Sequence, residues 1–416
     1  MSAPIRLPLP IRIFNAAASP FSRRLFPLEP DRLIATARRD AGSSGPRDLG
    51  DEGYRIGLER LCHSLDHEAG LTPLGRTIAR RELIRWLRNR IEMERWRAKH
   101  PEIAKEVIER PLFVVGMGRT GTTILHDLLA EDPDNRVPHS WELAAPSPPP
   151  EREHADDDPR IAALDAELAG VDRLMPEFKK MHPMGARLPQ ECVAITSHEF
   201  ASMVHQTAYG VPSYARWLQD QADLGPVYAA HRRFLQFLQW RWPARRWMLK
   251  SPGHLWALDP LLDEYPDARL VQTHRDPLRV VASLASLVET LRGMTSWKVD
   301  RQAIAREWME EIATALDRSV DARENGSVPA GRIVDFRFRD LLRDPFGGIR
   351  RIYEHFDLEF TPTAEANMRR HLAENPSDKH GAHKYRFADT GIDVGEARER
   401  FRRYVEYFDV PEESLG

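Results

Sequence analysis

Apolar and polar positions along this chain follow two periods. Short apolar runs appear at Leu112 to Val115, Arg246-Trp-Met-Leu-Lys250, Ala268 to Arg275 and Gly331 to Phe338, and each reads as a buried strand. Between them, apolar residues recur at helical spacing. Ile124, Leu125, Leu128 and Leu129 mark one amphipathic helix, and Ile161 to Leu174, Tyr228 to Leu238, Leu255 to Tyr265, Arg301 to Ser319 and Phe346 to Phe356 mark others. Asp276 and Pro277 form a cap and first turn for a helix running to about Leu291. Strands separated by helices predict an α/β fold, a parallel sheet covered on both faces whose ligands collect at the carboxyl ends of the strands.

Outside this core the pattern is helical or broken. Residues 1–50 carry Pro4, Pro8 and Pro10 and end in a Gly/Ser/Pro/Asp-rich stretch from Ala41 to Gly50, which predicts an extended arm. Helices are predicted over Gly53 to Ala69 and Leu74 to Lys99, the second started by Thr72 and Pro73 and patterned by Ile84, Leu87 and Ile91. Its arginines Arg80, Arg81, Arg85, Arg88 and Arg90 read as a solvated face paired with Glu82, Glu92 and Glu94. The chain therefore divides into an N-terminal arm and helical cap (1–108), a first part of the core (109–150), a helical insertion (151–240) entered through the proline run Pro146 to Pro150, and a second part of the core (241–416). Within the insertion, His182 to Cys192 is irregular and polar, as a substrate-facing loop would be.

Composition narrows the classes. A net charge of −3 over 416 residues makes no demand for nucleic acid or an anionic membrane. Cys62 and Cys192 are too few for a disulfide framework and favour a reducing, cytoplasmic setting. No apolar run approaches the ~18–20 residues that span a bilayer, and the start lacks a clean secretory segment.

The chemistry concentrates after the first strand, at Gly116-Met-Gly-Arg119-Thr-Gly121-Thr122-Thr123. A strand, a Gly-rich turn and a helix aim backbone N–H groups and a positive helix end at one point, which suits a phosphate or sulfate group. Gly116 and Gly121 have the P-loop spacing, but Thr122 stands where that loop has its Lys, and the cation sits earlier, at Arg119. A nucleoside triphosphatase needs that Lys on its β- and γ-phosphates. A P-loop nucleotide kinase or NTPase is thus weakened but remains one alternative, and a non-catalytic nucleotide-binding protein on the same fold is another.

Arg119-Thr120-Gly121-Thr122-Thr123 resembles the 5′-phosphosulfate loop of sulfotransferases that use 3′-phosphoadenosine-5′-phosphosulfate (PAPS), which reads roughly Gly-x-Pro-Arg-Ser-Gly-Thr-Thr in bacterial and tyrosylprotein members. Further segments match in order. Arg275 and Ser283 resemble the 3′-phosphate site, and Lys250, in Lys250-Ser-Pro-Gly-His254, resembles the Lys that stabilises the departing 5′-phosphate. Phe338-Arg-Asp-Leu341 is similar to the Tyr-Glu-Asp-Leu segment near the adenine. Lys379-His380-Gly381 is similar to the Arg-Lys-Gly loop that closes on the 3′-phosphate. The resemblance covers about residues 110–145 and 245–390. It implies a sulfotransferase on a P-loop-like sheet, moving a sulfuryl group from PAPS to a hydroxyl or amine of an acceptor by in-line displacement without a metal. His380 and His383 lack Cys or acidic partners at zinc-ligand spacing.

A base must take the acceptor proton. Glu142, placed after Thr122 near where heparan sulfate and tyrosylprotein sulfotransferases hold a catalytic Glu, is the preferred candidate; pairing with Arg136 is its bland alternative. His254 is the second candidate, two positions beyond the His of the cytosolic enzymes, and His182 is a weaker third on the acceptor side. Phe178, Tyr209, Tyr214 and Trp217 are read as core before pocket lining, and the acceptor is left as a small molecule, lipid or glycan.

Overall fold

The computed structural model describes residues 7–45, 48–174, 184–376 and 385–415. Five strands form one parallel sheet: β1 (Leu112–Val115), β2 (Asn135–Arg136), β3 (Arg246–Lys250), β4 (Arg269–His274) and β5 (Ile333–Arg337). They lie in the order β2-β3-β1-β4-β5, so β1 is central, with Leu112 opposite both Met248 and Arg269. The expected sheet with helices on both faces is what the chain adopts.

The apolar runs are continuous because both faces of each inner strand are buried. Phe113 and Val115 of β1, with Trp247, Leu249 and Leu270, join one core; Leu112 and Val114, with Met248 and Val271, join the other. Helices Gly225–Gln239, Pro277–Thr295 and Arg301–Glu324 cover the first face. Helices Thr122–Ala130, Pro345–His355 and Pro362–Glu374 cover the second. A third core joins helices Pro30–Asp40, Gly53–His67 and Pro73–Lys99 to Phe200, Tyr209, Val211 and Tyr214. Tyr209 and Tyr214 are therefore core residues, not pocket lining. Phe178 lies outside the described residues.

Some expectations need correction. Residues 9–40 are largely helical, not an extended arm: Leu9–Ala18 and Pro30–Asp40 both begin on proline-bearing first turns. Proline there loses no intrahelical bond, so these prolines start helices instead of forbidding them. Strand β2 is too short and polar to show as a period; it exists because Asn135 and Arg136 pair with Arg246 and Trp247. Phe338 opens the helix Phe338–Arg343 and does not end a strand. The stretch read as one helix from Leu255 is a 3-10 turn, Pro252–Trp256, followed by helix Leu258–Glu264. On Pro73–Lys99, Arg88 does face Glu92 at 3.5 Å, but Arg85 pairs with Glu167, and Glu82 accepts a bond from the Tyr209 hydroxyl at 2.7 Å. No helix among the described residues is long and apolar enough to cross a membrane.

Candidate active site

The loop after β1 is shaped by two glycines. Gly116 takes φ +133°, and a Cβ there would run into Thr273 on β4. Gly121 takes φ +92°, and its Cβ would stand 2.8 Å from Leu341 and 2.9 Å from the Phe338 ring. Both positions need a residue without a side chain. Between them Arg119 also has positive φ, +74°. The buried Thr120 hydroxyl bonds the Met117 carbonyl at 2.6 Å and the Thr273 hydroxyl at 2.5 Å, which ties the loop to β4. Thr122 and Thr123 form the first turn of helix Thr122–Ala130, whose free backbone N–H groups face the loop.

Neighbouring strand ends bring cations to this loop. Lys250, at the end of β3, is almost fully buried; its Nζ donates to Thr123 Oγ1 at 3.1 Å and pairs with Glu191 at 2.7 Å. Arg119 Nε donates to Ser283 Oγ at 3.1 Å, across to helix Pro277–Thr295. Arg275, just past β4, donates from Nη1 to the Arg119 carbonyl at 2.9 Å and lies 4.2 Å over the Phe338 ring. Burial, with Arg275 close by, pushes the Arg119 guanidinium down from its ordinary range. Arg119, Thr120, Gly121, Thr123, Lys250, Arg275, Ser283 and Phe338 thus form one contiguous cluster, although they come from widely separated stretches of chain.

Carboxylates that sequence reasoning missed sit on these cations. Glu413 takes the Arg275 fork at 3.0 Å from both Nε and Nη2, while Arg398 grips Asp276 at 2.7 and 2.9 Å. The Glu413 N–H donates to Asp276 at 2.7 Å, so the C-terminal segment is fastened beside the cluster. No local signal marks Glu413, which lies 138 residues from its partner. Glu191 sits in the polar stretch read as substrate-facing, but nothing in the spacing points it at Lys250.

The two described base candidates have different surroundings. Glu142 is fully buried in helix Ser140–Ala144. It accepts from Arg136 Nη2 at 2.7 Å and from the His139 N–H at 2.8 Å, as the reciprocal half of a capping box. Burial pushes its carboxyl up, but the Arg136 charge and the His139 contacts outweigh this and hold it at about 2. Arg136 in turn stacks on Trp242 and Trp247. His254 lies in the turn after β3, also buried, its Nδ1 2.7 Å from the Tyr228 hydroxyl and its Nε2 without a hydrogen-bond partner. Burial and the nearby His231 push its pKa well below the ordinary range, so the ring is neutral. His182, Lys379, His380 and Gly381 lie outside the described residues. Among the described residues no group of His, Cys, Asp and Glu is placed to hold a metal ion.

Residues 111–362, which contain all five strands and all of the described cluster except Glu413, match the model of the Sulfotransferase family. The chain belongs to the sulfotransferase family. It is 34% identical to the crystal structure of sulfotransferase STF1 from Mycobacterium tuberculosis H37Rv, with a TM-score of 0.79 over 89% of this chain and 97% of that one. Against sulfotransferase STF9 from Mycobacterium avium the identity is 31% and the TM-score 0.85, over 92% and 97%. The omega-hydroxy-beta-dihydromenaquinone-9 sulfotransferase Stf3 of Mycobacterium bovis is 26% identical over 288 residues, 67% of this chain and 70% of that protein. The protein is a transferase that moves a sulfuryl group, and the kinase alternative is not favoured.

Proposed function

We propose that this sulfotransferase uses PAPS as donor and sulfates the hydroxyl of a predominantly apolar small molecule. The observation that carries the reading is the convergence of Arg119, Lys250 and Arg275 on the loop between β1 and its helix. Loop N–H groups and the helix end suit the 5′-phosphosulfate, and Arg275 with Ser283 suits the 3′-phosphate. Phe338, already stacked under Arg275, offers a face for the adenine. Lys379, His380 and Gly381 are assigned to the 3′-phosphate on resemblance alone.

In the reaction the acceptor oxygen forms a bond to sulfur as the bond from sulfur to the 5′-phosphate oxygen breaks. Adenosine 3′,5′-bisphosphate leaves, and the acceptor proton passes to a base. Lys250 stabilises charge on the leaving oxygen in this reading, exchanging its Glu191 partner for it. We assign the base to His254 and not to Glu142. The Glu142 carboxylate is consumed by Arg136 and the helix start, whereas His254 is neutral, has its Nδ1 fixed by Tyr228 and keeps Nε2 for a proton. A weak base suffices because the acceptor oxygen becomes acidic as it bonds to sulfur.

The acceptor class is supported by the apolar cavity beside His254 and by Stf3, whose name specifies a hydroxylated menaquinone. Buried, unbridged Cys62 and Cys192 agree with action in the cytoplasm. The test is a thermal-shift titration with adenosine 3′,5′-bisphosphate, adenosine 5′-monophosphate and ATP–Mg²⁺. Only the bisphosphate should stabilise, by ~2.7 kcal/mol at a hundred times its Kd. Arg275→Ala should weaken that binding by about 10- to 100-fold. Stabilisation by ATP–Mg²⁺ alone would sink the PAPS assignment.

A further inference from the structure

A cavity adjoins the turn after β3. Ser251, Gly253 and His254 form one side, and its other walls come from remote stretches of chain, including Val193, Met203 and Leu224. Its interior volume is about 60 Å³, so the chamber takes a small group or a short chain segment. The lining is mostly apolar, which suits a short hydrocarbon segment.

A few polar groups interrupt that lining. Besides His254 Nε2, the buried Gln206 Oε1 and Trp256 Nε1 find no hydrogen-bond partner. Gln206 is held from behind: its carbonyl accepts from Arg292 Nη2 at 2.5 Å, and Arg292 is itself forked on Glu307 at 2.7 and 2.9 Å. The Gln206 side-chain amide donates to Glu311 Oε2 at 3.2 Å. Burial pushes the Glu311 carboxyl up; the Gln206 bond opposes this and the Glu307 and Asp220 charges add to it, leaving it at about 7. A carboxyl with that balance is partly protonated at neutral pH. Gln206 and Glu311 together then present an acceptor and a donor inside an otherwise apolar chamber. A hydroxyl, which both donates and accepts, satisfies either orientation of the amide.

We infer that the acceptor carries a second hydroxyl besides the one that is sulfated, and that Gln206, backed by Glu311, reads it within the apolar pocket. This rests on the assignment of sulfuryl transfer to the Lys250–His254 end. A second hydroxyl bound there would favour alcohols polar at two points over equally long alcohols polar at one. It would also hold the reacting hydroxyl at a set depth, since the polar anchor limits how far the hydrocarbon slides.

The experiment compares straight-chain 1-alkanols with α,ω-diols of the same lengths, using PAPS and the full-length enzyme. At the best-fitting length the diol should exceed the alkanol in kcat/KM by about tenfold, beyond the factor of about two from its equivalent ends. In Gln206→Leu that preference should fall to the factor from equivalent ends, and in Glu311→Gln it should persist because an amide still meets Gln206. Reading the ratio within each variant cancels any loss of folded protein. Equal use of diol and alkanol by the wild type, or an unchanged preference in Gln206→Leu, overturns the inference. If no alcohol is sulfated, the same pairs are compared by thermal shift in the presence of adenosine 3′,5′-bisphosphate. A diol-specific shift lost in Gln206→Leu upholds the pocket reading while the transfer-site assignment falls; equal shifts overturn the pocket reading itself.

Discussion

At the carboxyl ends of β1, β3 and β4, the cationic and hydroxyl groups proposed to hold the donor stand close to their own strands, whereas the cavity beside His254 is walled by separate stretches between Val193 and Glu311. The first region is polar and cationic, and its shape comes from backbone: two glycines at positive φ, a helix start and strand ends in register. The second is apolar and its shape comes from side chains packed between helices. Backbone-built sites tolerate few substitutions at fixed spacings, so they leave a readable motif. A side-chain-built pocket can be formed by many residue sets, and its substrate preference can change while the fold stays.

The largest expected effect lies where the two regions meet. His254→Gln should lower kcat by about 10²–10⁴-fold, with the affinity for adenosine 3′,5′-bisphosphate unchanged by thermal shift. A kcat within a few-fold of wild type would remove the base from the acceptor side. Glu142→Gln should act on stability instead. Breaking a buried ion pair costs about 3–5 kcal/mol, read as a lower urea midpoint, while kcat per folded molecule changes only a few-fold. The sign of its pH dependence follows from the carboxyl being held at about 2 against an ordinary 4.5. Its stabilisation is complete above the unfolded value and is lost as pH falls from about 4.5 through about 2, so the variant's stability should be flatter across that window. A large loss of kcat with normal stability would instead restore Glu142 as the base.

The smallest effect sharpens the cationic side. Glu413 shares the Arg275 fork that a phosphate would use. Glu413→Gln should tighten adenosine 3′,5′-bisphosphate by about two- to tenfold, measured by calorimetry, as the competing charge is removed. Weaker binding would mean that the carboxylate positions Arg275 and does not compete.

Legibility followed the range of the interactions. β1 and β3 were readable to the residue, because strands buried on both faces must be apolar throughout. The loop between Gly116 and Thr123 was readable as a glycine turn between strand and helix because its conformation is set by neighbouring residues. The N-terminal helices were misread because a proline looks the same whether it begins a helix or prevents one, and only packing against helix Pro73–Lys99 decides. Strand β2 was invisible for the same reason: its pairing with β3 makes it a strand.

By itself the sequence determined the parallel sheet, the order of its cationic strand ends and a glycine turn without the P-loop Lys. These depend on hydrophobic period and on residue types at short spacing, both local quantities. Only the tertiary structure decided which carboxylate each cation meets. Arg136 takes Glu142 across a strand and a helix start, Lys250 takes Glu191, and Arg275 takes Glu413. It also decided that Gln206 and His254 share one chamber. Charge pairing and cavity shape depend on distances of a few ångströms between residues far apart in sequence, and those distances exist only once the helices have packed.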